Sequence, residues 1–160
     1  MKFLSLKKIF QWIPNKIISA QLIFDTTRDG DTIAAFKNKC DGQSPTLVII
    51  KTTKNIIFGG YASSKWEEEK AISDKNAFVF SLNPLKKYNQ INPPNAALYY
   101  SFSSNIMFQF GCCHFRITSD CTKSNNNCIW EGFYQKGIVD LFKDGDKFIV
   151  DRIEIFKLNF

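Results

Sequence analysis

CDGQSPTLVIIKTTKNIIFGGYASSKW, residues 40–66, holds two apolar runs, the polar link between them and a pair of adjacent glycines. Residues 47–50, Leu-Val-Ile-Ile, are bounded by Pro45 and by the polar segment 51–55. A run of four is too short for a helix and fits a strand buried on both faces. Residues 56–58 resume the strand after the polar link, so the stretch reads as a central hairpin. Gly59 and Gly60 then predict a bulge or a close backbone approach, since both settings tolerate a Cβ poorly. Tyr61 and Trp66 follow as large rings that would cover the opening.

Upstream, residues 19–24 alternate weakly around Leu22 and Phe24 and predict a strand. The turn DTTRDGD comes next, with Asp29 or Asp31 as the N-cap of a helix. Ile33, Phe36 and Cys40 share one face of that helix, and Asp41-Gly42 closes it with glycine in the left-handed region. Arg28, set among acids, reads as a structural tie between the turn and its carboxylates. Phe3, Leu6, Phe10 and Ile13 lie on one helical face opposite Lys7, Lys8 and Gln11, and Pro14 ends that helix. Residues 1–13 are therefore expected to form an amphipathic helix docked on a single domain of residues 14–160.

Downstream, the charged residues 67–70 read as a solvated face. Residues 77–82 predict a strand with Phe78, Phe80 and Leu82 toward the core and Ala77, Val79 and Ser81 on an outer side. Asn83-Pro84 breaks it, and residues 86–95, with Pro93-Pro94, predict a loop. Two strands follow at 97–102 and 106–110, the second alternating Ile106, Phe108 and Phe110 against Met107 and Gln109. Phe115 and Ile117 are expected to point inward and His114 and Arg116 outward, before a polar loop at 118–127 and a hairpin turn at 143–146. Near the end the inward set moves from Phe148 and Val150 to Ile153 and Ile155, one residue out of step. That predicts a bulge at Asp151-Arg152, with Glu154 on the side opposite Ile153. The expected class is mainly β: a two-sheet antiparallel β-sandwich flanked by a few short helices.

One hundred and sixty residues with 16 Phe supply a core without disulfides or metal. The net charge of +6 is scattered, with basic pairs only at Lys7-Lys8 and Lys86-Lys87 and no nucleic-acid-binding motif. The composition therefore reads as a solvated surface and not as a nucleic-acid site. Five cysteines, two of them adjacent at Cys112-Cys113, do not make a disulfide framework and point to a reducing compartment, the cytoplasm. Residues 1–24 contain four lysines and no acid, as mitochondrial presequences do, but lack arginine. Mitochondrial targeting is the alternative. No apolar run approaches the roughly 18 residues of a membrane span.

Cys112, Cys113, His114, Cys121 and Cys128 are the one group with metal-ligand chemistry. Zinc sites bring paired ligands together across short turns, whereas neighbours on a strand face opposite ways, so no metal site is assigned. The same divergence makes Cys113 and His114 a poor catalytic dyad. A thiol or metal enzyme centred on Cys112 to His114 is the competing functional reading. Gly59-Gly60 lacks the context of a phosphate-binding loop, so no cofactor and no catalytic residue is assigned. Neither an oligomeric state nor a particular partner follows from the residues.

The stretch 40–66, preceded by TRDGDTIAAFKNKC and followed later by FIVDRIEIFKL, resembles the TLDc domain of the oxidation-resistance and nuclear-receptor-coactivator-7 proteins. The similarity runs over residues 13–160. The matching positions are Arg28, Asp29 and Gly30; Cys40, Asp41 and Gly42; Pro45 and Thr46; Phe58, Gly59, Gly60 and Tyr61; Trp66; Phe110 and Gly111; and Glu154. Around Phe110 the chain keeps Gly111, His114 and Ile117 but has Cys112 and Cys113 where the family carries glycines and Phe115 in place of an acid. The resemblance implies a helix-flanked β-sandwich and a non-catalytic interaction module. It further implies a link to oxidative-stress protection and to binding or modulating the vacuolar proton-pumping ATPase. Trp66, Glu67, Glu68, Glu69 and Glu154 are the candidate contact residues on loops and the sheet rim.

Overall fold

The computed structural model describes residues 3–91, 97–111, 114–142, 145 and 147–160. Helix α1 spans Phe3–Gln11, β1 Ser19–Asp25, α2 Thr26–Asp29, α3 Ile33–Cys40, β2 Thr46–Thr52 and β3 Ile57–Ala62. β4 is Phe78–Leu82, β5 Leu85–Asn89, β6 Leu98–Ser101, β7 Ile106–Phe110, β8 Phe115–Thr118 and β9 Asn127–Ile129. A 3-10 turn at Val139–Leu141 precedes β10 (Lys147–Phe148) and β11 (Val150–Asn159). The strands form two antiparallel sheets, ordered β1-β11-β2-β3-β4-β5 and β10-β9-β8-β7-β6. The chain is a mainly β sandwich with short helices at its margins.

The six-stranded sheet is apolar on both faces, which explains the uninterrupted run in β2. Val48 and Ile50 face the second sheet and join Phe58, Phe108, Phe110, Phe115, Ile153 and Ile155 in the larger core. Leu47 and Ile49 face the other way, onto a smaller core with Tyr61, Phe78, Phe80 and Leu158 that is covered by Ile9 of α1 and by Ile13 just beyond it. Ile9 is fully buried, although the sequence pattern centred that face on Phe3, Leu6, Phe10 and Ile13. The helix ends at Gln11, before Pro14, with 3-10-type bonds from the N–H groups of Trp12 and Ile13.

Gly59 and Gly60 lie inside β3, in unbroken register with Ile49 and Val48, so no bulge forms there. The close approach is real. A Cβ on Gly59 would stand 1.9 Å from the Val48 carbonyl oxygen, and one on Gly60 2.5 Å from Cε1 of Phe110. The Asp151-Arg152 bulge is present, as a register shift between Val150 and Arg152 against β2.

Other expectations are corrected. Val79 is no outer residue: it packs in the inter-sheet core, while Phe78 and Phe80 point to the α1 side. Residues 85–89 form β5, which the edge position permits because only one side must pair. Met107 is buried with Phe108, since a register shift between Ile106 and Phe108 breaks the alternation of β7. His114 is 1% exposed and points inward. The polar loop ends earlier than expected, at β9, and is organised by the buried Asn127. Its amide donates to the carbonyls of Cys121 (3.1 Å), Ser124 (3.1 Å) and Phe148 (3.0 Å). Of the expected turn at 143–146 only Gly145 lies within the described residues, as do neither Pro93-Pro94 nor Cys112-Cys113.

Two stability predictions follow from this packing. Gly59→Ala is expected to lower the urea midpoint more than Gly60→Ala, because the first Cβ meets backbone and the second a ring that can tilt. The cost for Gly60→Ala is about 1 to 3 kcal/mol, and larger for Gly59→Ala. Ile9→Ala is expected to cost about 2 to 4 kcal/mol by opening a cavity over Leu47 and Phe80, whereas Lys8→Ala on the exposed side changes stability by less than about 0.5 kcal/mol. Chemical denaturation of the four variants measures both.

Candidate functional site

The family-matching residues divide into a group that packs and hydrogen-bonds around the core and a charged group at the corner of α2 and β11. Trp66 belongs to the first: it is 0% exposed, and its indole N–H donates 3.0 Å to the hydroxyl of Thr46. Its ring meets Phe36, Phe108 and Phe110 edge-on. The expectation that Trp66 contacts a partner is therefore corrected, and Thr46 explains why burying an indole N–H is tolerated. Phe58 sits among Phe115, Phe142 and Phe148. Asp41 accepts the hydroxyl proton of Tyr100, and Gly42, at φ +72°, turns its N–H to the Trp66 carbonyl at 2.8 Å. Leu158 donates its N–H to the Pro45 carbonyl at 3.0 Å. Gly111, at φ +67°, lies against Phe133.

Arg28, Asp29 and Glu154 form the charged group, assembled by α2 and the bulged start of β11, with Arg28 half-exposed and Asp29 and Glu154 largely covered. Asp25, unmarked by the sequence analysis, is the hub. It caps α2 by accepting from the Thr27 N–H at 2.9 Å, and its carboxylate receives Arg152 through Nη2 at 2.5 Å and Nε at 3.3 Å. Arg152 also reaches Glu154 at 3.1 Å. Arg28 holds Asp29 with two bonds, at 2.9 and 2.7 Å, and donates to the Ile23 carbonyl at 3.1 Å, the structural tie expected of it. Gly30 turns the chain at φ +90°. The expected N-cap role of Asp29 or Asp31 falls instead to Thr32, whose hydroxyl accepts from the Ala35 N–H at 3.2 Å. Asp29 is committed to Arg28, and Asp31 to the hydroxyl and N–H of Thr122. Arg28 and Arg152 are half-exposed, so the ring presents two guanidinium groups and a carboxylate to solvent.

The acidic run is less solvated than expected. Glu67 pairs with Lys70 at 2.5 Å and Glu68 with Lys37. Glu69 accepts from the hydroxyls of Ser101, Ser103 and Tyr99 and holds the β6–β7 turn. Asp74 does the same for the 63–64 segment, accepting from both N–H groups and from the Ser63 hydroxyl. Neither Asp74 nor Asn127 has a sequence signal beyond its position in a polar loop.

The titratable groups inside the fold are set against nucleophilic chemistry. Burial pushes the Cys40 thiol far up and the Cys121 thiol up to about 12, so both stay protonated at neutral pH. Burial lowers the His114 imidazole to about 4. Its Nδ1 accepts from the Tyr134 N–H at 3.4 Å, so the ring proton resides on Nε2, which has no hydrogen-bond partner. No group of three metal-capable side chains occurs among the described residues. No helix among them is long and apolar enough to cross a membrane.

The hydrogen-bonded Arg152 guanidinium holds the Asp25 carboxyl at about 2, below its ordinary 3.8. A depressed folded-state value adds stability that is present above about pH 4 and lost as the pH falls toward 2. The contribution is about 1 to 2 kcal/mol, since Arg152 is itself half in water. Asp25→Asn is expected to lower stability at pH 7 and to flatten its decline between pH 4 and 2, read by urea titrations across that range.

Comparison with known proteins places these features in a family. The sequence model of the TLDc domain matches residues 1–159. TBC1 domain family member 24 of Xenopus laevis is 33% identical over 88 residues, covering 49% of this chain and 16% of that protein. GTPase-activating protein skywalker of Drosophila melanogaster is 33% identical over 88 residues, covering 48% of the chain and 15% of its own length. MTOR-associated protein MEAK7 of Mus musculus is 24% identical over 126 residues, 66% of the chain and 28% of that protein. The chain thus spans 16% and 15% of the first two of these relatives. With its profile matched from end to end and its motifs built into the two-sheet core, the chain belongs to the TLDc domain family.

Proposed function

We propose that this TLDc domain is a non-catalytic binding module of the cytoplasm that engages subunits of the vacuolar proton-pumping ATPase, modulates that enzyme and so contributes to protection against oxidative stress. The observation that carries the reading is the division of the family-matching residues. One group is spent on packing the core, and the charged group forms a fixed ring instead of a cleft with a reactive atom. Arg28 and Arg152 are held by hydrogen bonds while half in water, and Glu154, a quarter exposed, is held by its ion pair with Arg152, an arrangement suited to recognising a charged protein surface. Among the described residues, the protonated thiols of Cys40 and Cys121 and the neutral, enclosed His114 supply neither a nucleophile nor an accessible base. The GTPase-activating and MTOR-associated activities in the relatives' names belong to much longer proteins and do not bear on the ring.

The experiment is affinity capture from cell extract, with ATPase subunits quantified by mass spectrometry and proton pumping measured in isolated vesicles. Charge reversal of the ring, Arg28→Glu with Glu154→Lys, is expected to reduce subunit capture about tenfold or more with folding retained. Cys112→Ser with Cys113→Ser is expected to leave capture unchanged. If the cysteine variant lost all activity while the charge-reversed one behaved as wild type, the thiol-centred reading would replace this one.

A further inference from the structure

The four edges of the two sheets are treated unequally. β6 is covered by the segment 69–72, where the N–H groups of Glu69 and Ile72 donate to the carbonyls of Tyr100 and Leu98 at 3.0 and 2.9 Å. β10, at the other edge of that sheet, is two residues long. β5 carries Lys86 and Lys87 over the rings of Tyr88 and Phe78, and its end receives the Gln135 N–H at 2.8 Å. Short length, charge and cover are the devices that keep an edge from pairing with another chain. The first four residues of β1, Ser-Ala-Gln-Leu, have none of them among the described residues.

Backbone groups alternate in direction along a strand. The Leu158 N–H donates to the Pro45 carbonyl beside β2 at 3.0 Å, so Lys157 and Asn159 turn toward β1, their partners Gln21 and Ser19 turn toward β11, and Ala20 and Leu22 turn their N–H and C=O outward. Beyond Leu22 the outward groups are already satisfied. Arg28 donates to the Ile23 carbonyl, and the Asp25 N–H is held by Asp29 at 2.9 Å. The charged ring therefore closes the far half of this edge and leaves residues 18–22 open.

The side chains along that opening specify what fits. On one face Gln21 and Ser19 lie across from Lys157 and Asn159, with Lys16 exposed just before the strand. The other face is apolar: Ala20 and Leu22 lie across from Leu158 and Phe156, with Ile18 75% and Phe160 43% exposed at the end. No acidic residue occurs between Lys16 and Leu22. Building on the interaction-module reading, we propose that the outer edge of β1 between Ile18 and Leu22 receives an extended segment of a protein partner, alternating apolar and acidic residues, as an added strand. The acids meet Lys157 and Lys16, the apolar residues cover Ile18 and Leu22, and the backbone pairs with Ala20 and Leu22. A second copy of the chain fits less well, since it brings a net charge of +6 and an edge with no acid to offer.

The test uses the full chain, isotopically labelled for amide NMR, titrated with a capped peptide of four Val-Glu repeats and separately with one of four Val-Lys repeats. The acidic peptide is expected to slow hydrogen exchange at the Ala20 and Leu22 amides and to bind about tenfold more tightly than the basic one. Ala20→Pro removes an outward N–H without touching the ladder to β11, and is expected to weaken binding about tenfold at unchanged melting temperature. Gln21→Glu keeps the backbone, and is expected to weaken binding several-fold by repulsion even if the proline variant fails to fold. Equal affinity for the two peptides, no protection at Ala20 and Leu22, or wild-type binding by Gln21→Glu would overturn the proposal. So would a dimer in sedimentation with the same amides protected in the absence of peptide, which assigns the edge to a second copy. Peptide binding reads the edge alone. Loss of ATPase capture with intact peptide binding would count against the vacuolar partner and leave the strand-addition site standing.

Discussion

Two missing Cβ atoms in β3 set the distance at which everything else packs. At Gly60 the place of a side chain is taken by the ring of Phe110, from the opposite sheet, and at Gly59 it is crowded by the Val48 carbonyl and the ring of Phe80. Because interiors are close-packed, a gap at one such contact is not absorbed locally. Phe110 in turn stacks on Phe115 at 4.9 Å and meets Trp66 at 5.6 Å, and Trp66 meets Phe36 of α3. The aromatic network that joins both sheets and α3 thus rests on one bare stretch of strand.

The central hairpin and the late bulge were legible because each leaves a periodicity that burial enforces. Leu47 to Ile50 is apolar throughout, since the sheet is covered on both sides, and Val150 to Ile153 is out of step because an extra residue sits between them. The same double covering made 77–82 misleading. With a helix on one face and a sheet on the other, the smaller side of that strand is as buried as the larger. β5 was obscured by its lysines, which are ordinary on an edge yet read as a loop beside Pro84. His114 and Trp66 show the reverse difficulty: polar or amphipathic side chains become interior when a single local acceptor or donor is supplied from a distant segment. Thr46 and the Tyr134 N–H are 20 residues away from them in each case.

The candidate site was half visible. Arg28, Asp29 and Glu154 stood out through the family resemblance, but Asp25 and Arg152, which hold them together, are 127 residues apart and share no local pattern. Long-range ion pairs leave no periodicity in a sequence. Their geometry also gives the ring a second consequence: by occupying the backbone groups at Ile23 and Asp25 it fixes where the free edge of the sheet stops.

β11 lies between β1 and β2, so the amino-terminal strand has its partner at the far end of the domain. Ser19 pairs with Asn159, and their side chains are joined by a hydrogen bond spanning 140 residues. On the ribosome, β2 to β5 can assemble as successive hairpins while β1 waits for almost the entire domain to be made. At roughly 5–20 residues per second that wait lasts on the order of ten seconds or more. Loop-closure entropy opposes its pairing throughout. The newborn chain therefore carries two unfilled sheet margins, β1 and the side of β2 that β11 will later occupy. Chaperone dependence during synthesis would concentrate there, and not at the hydrophobic hairpin that dominates the sequence.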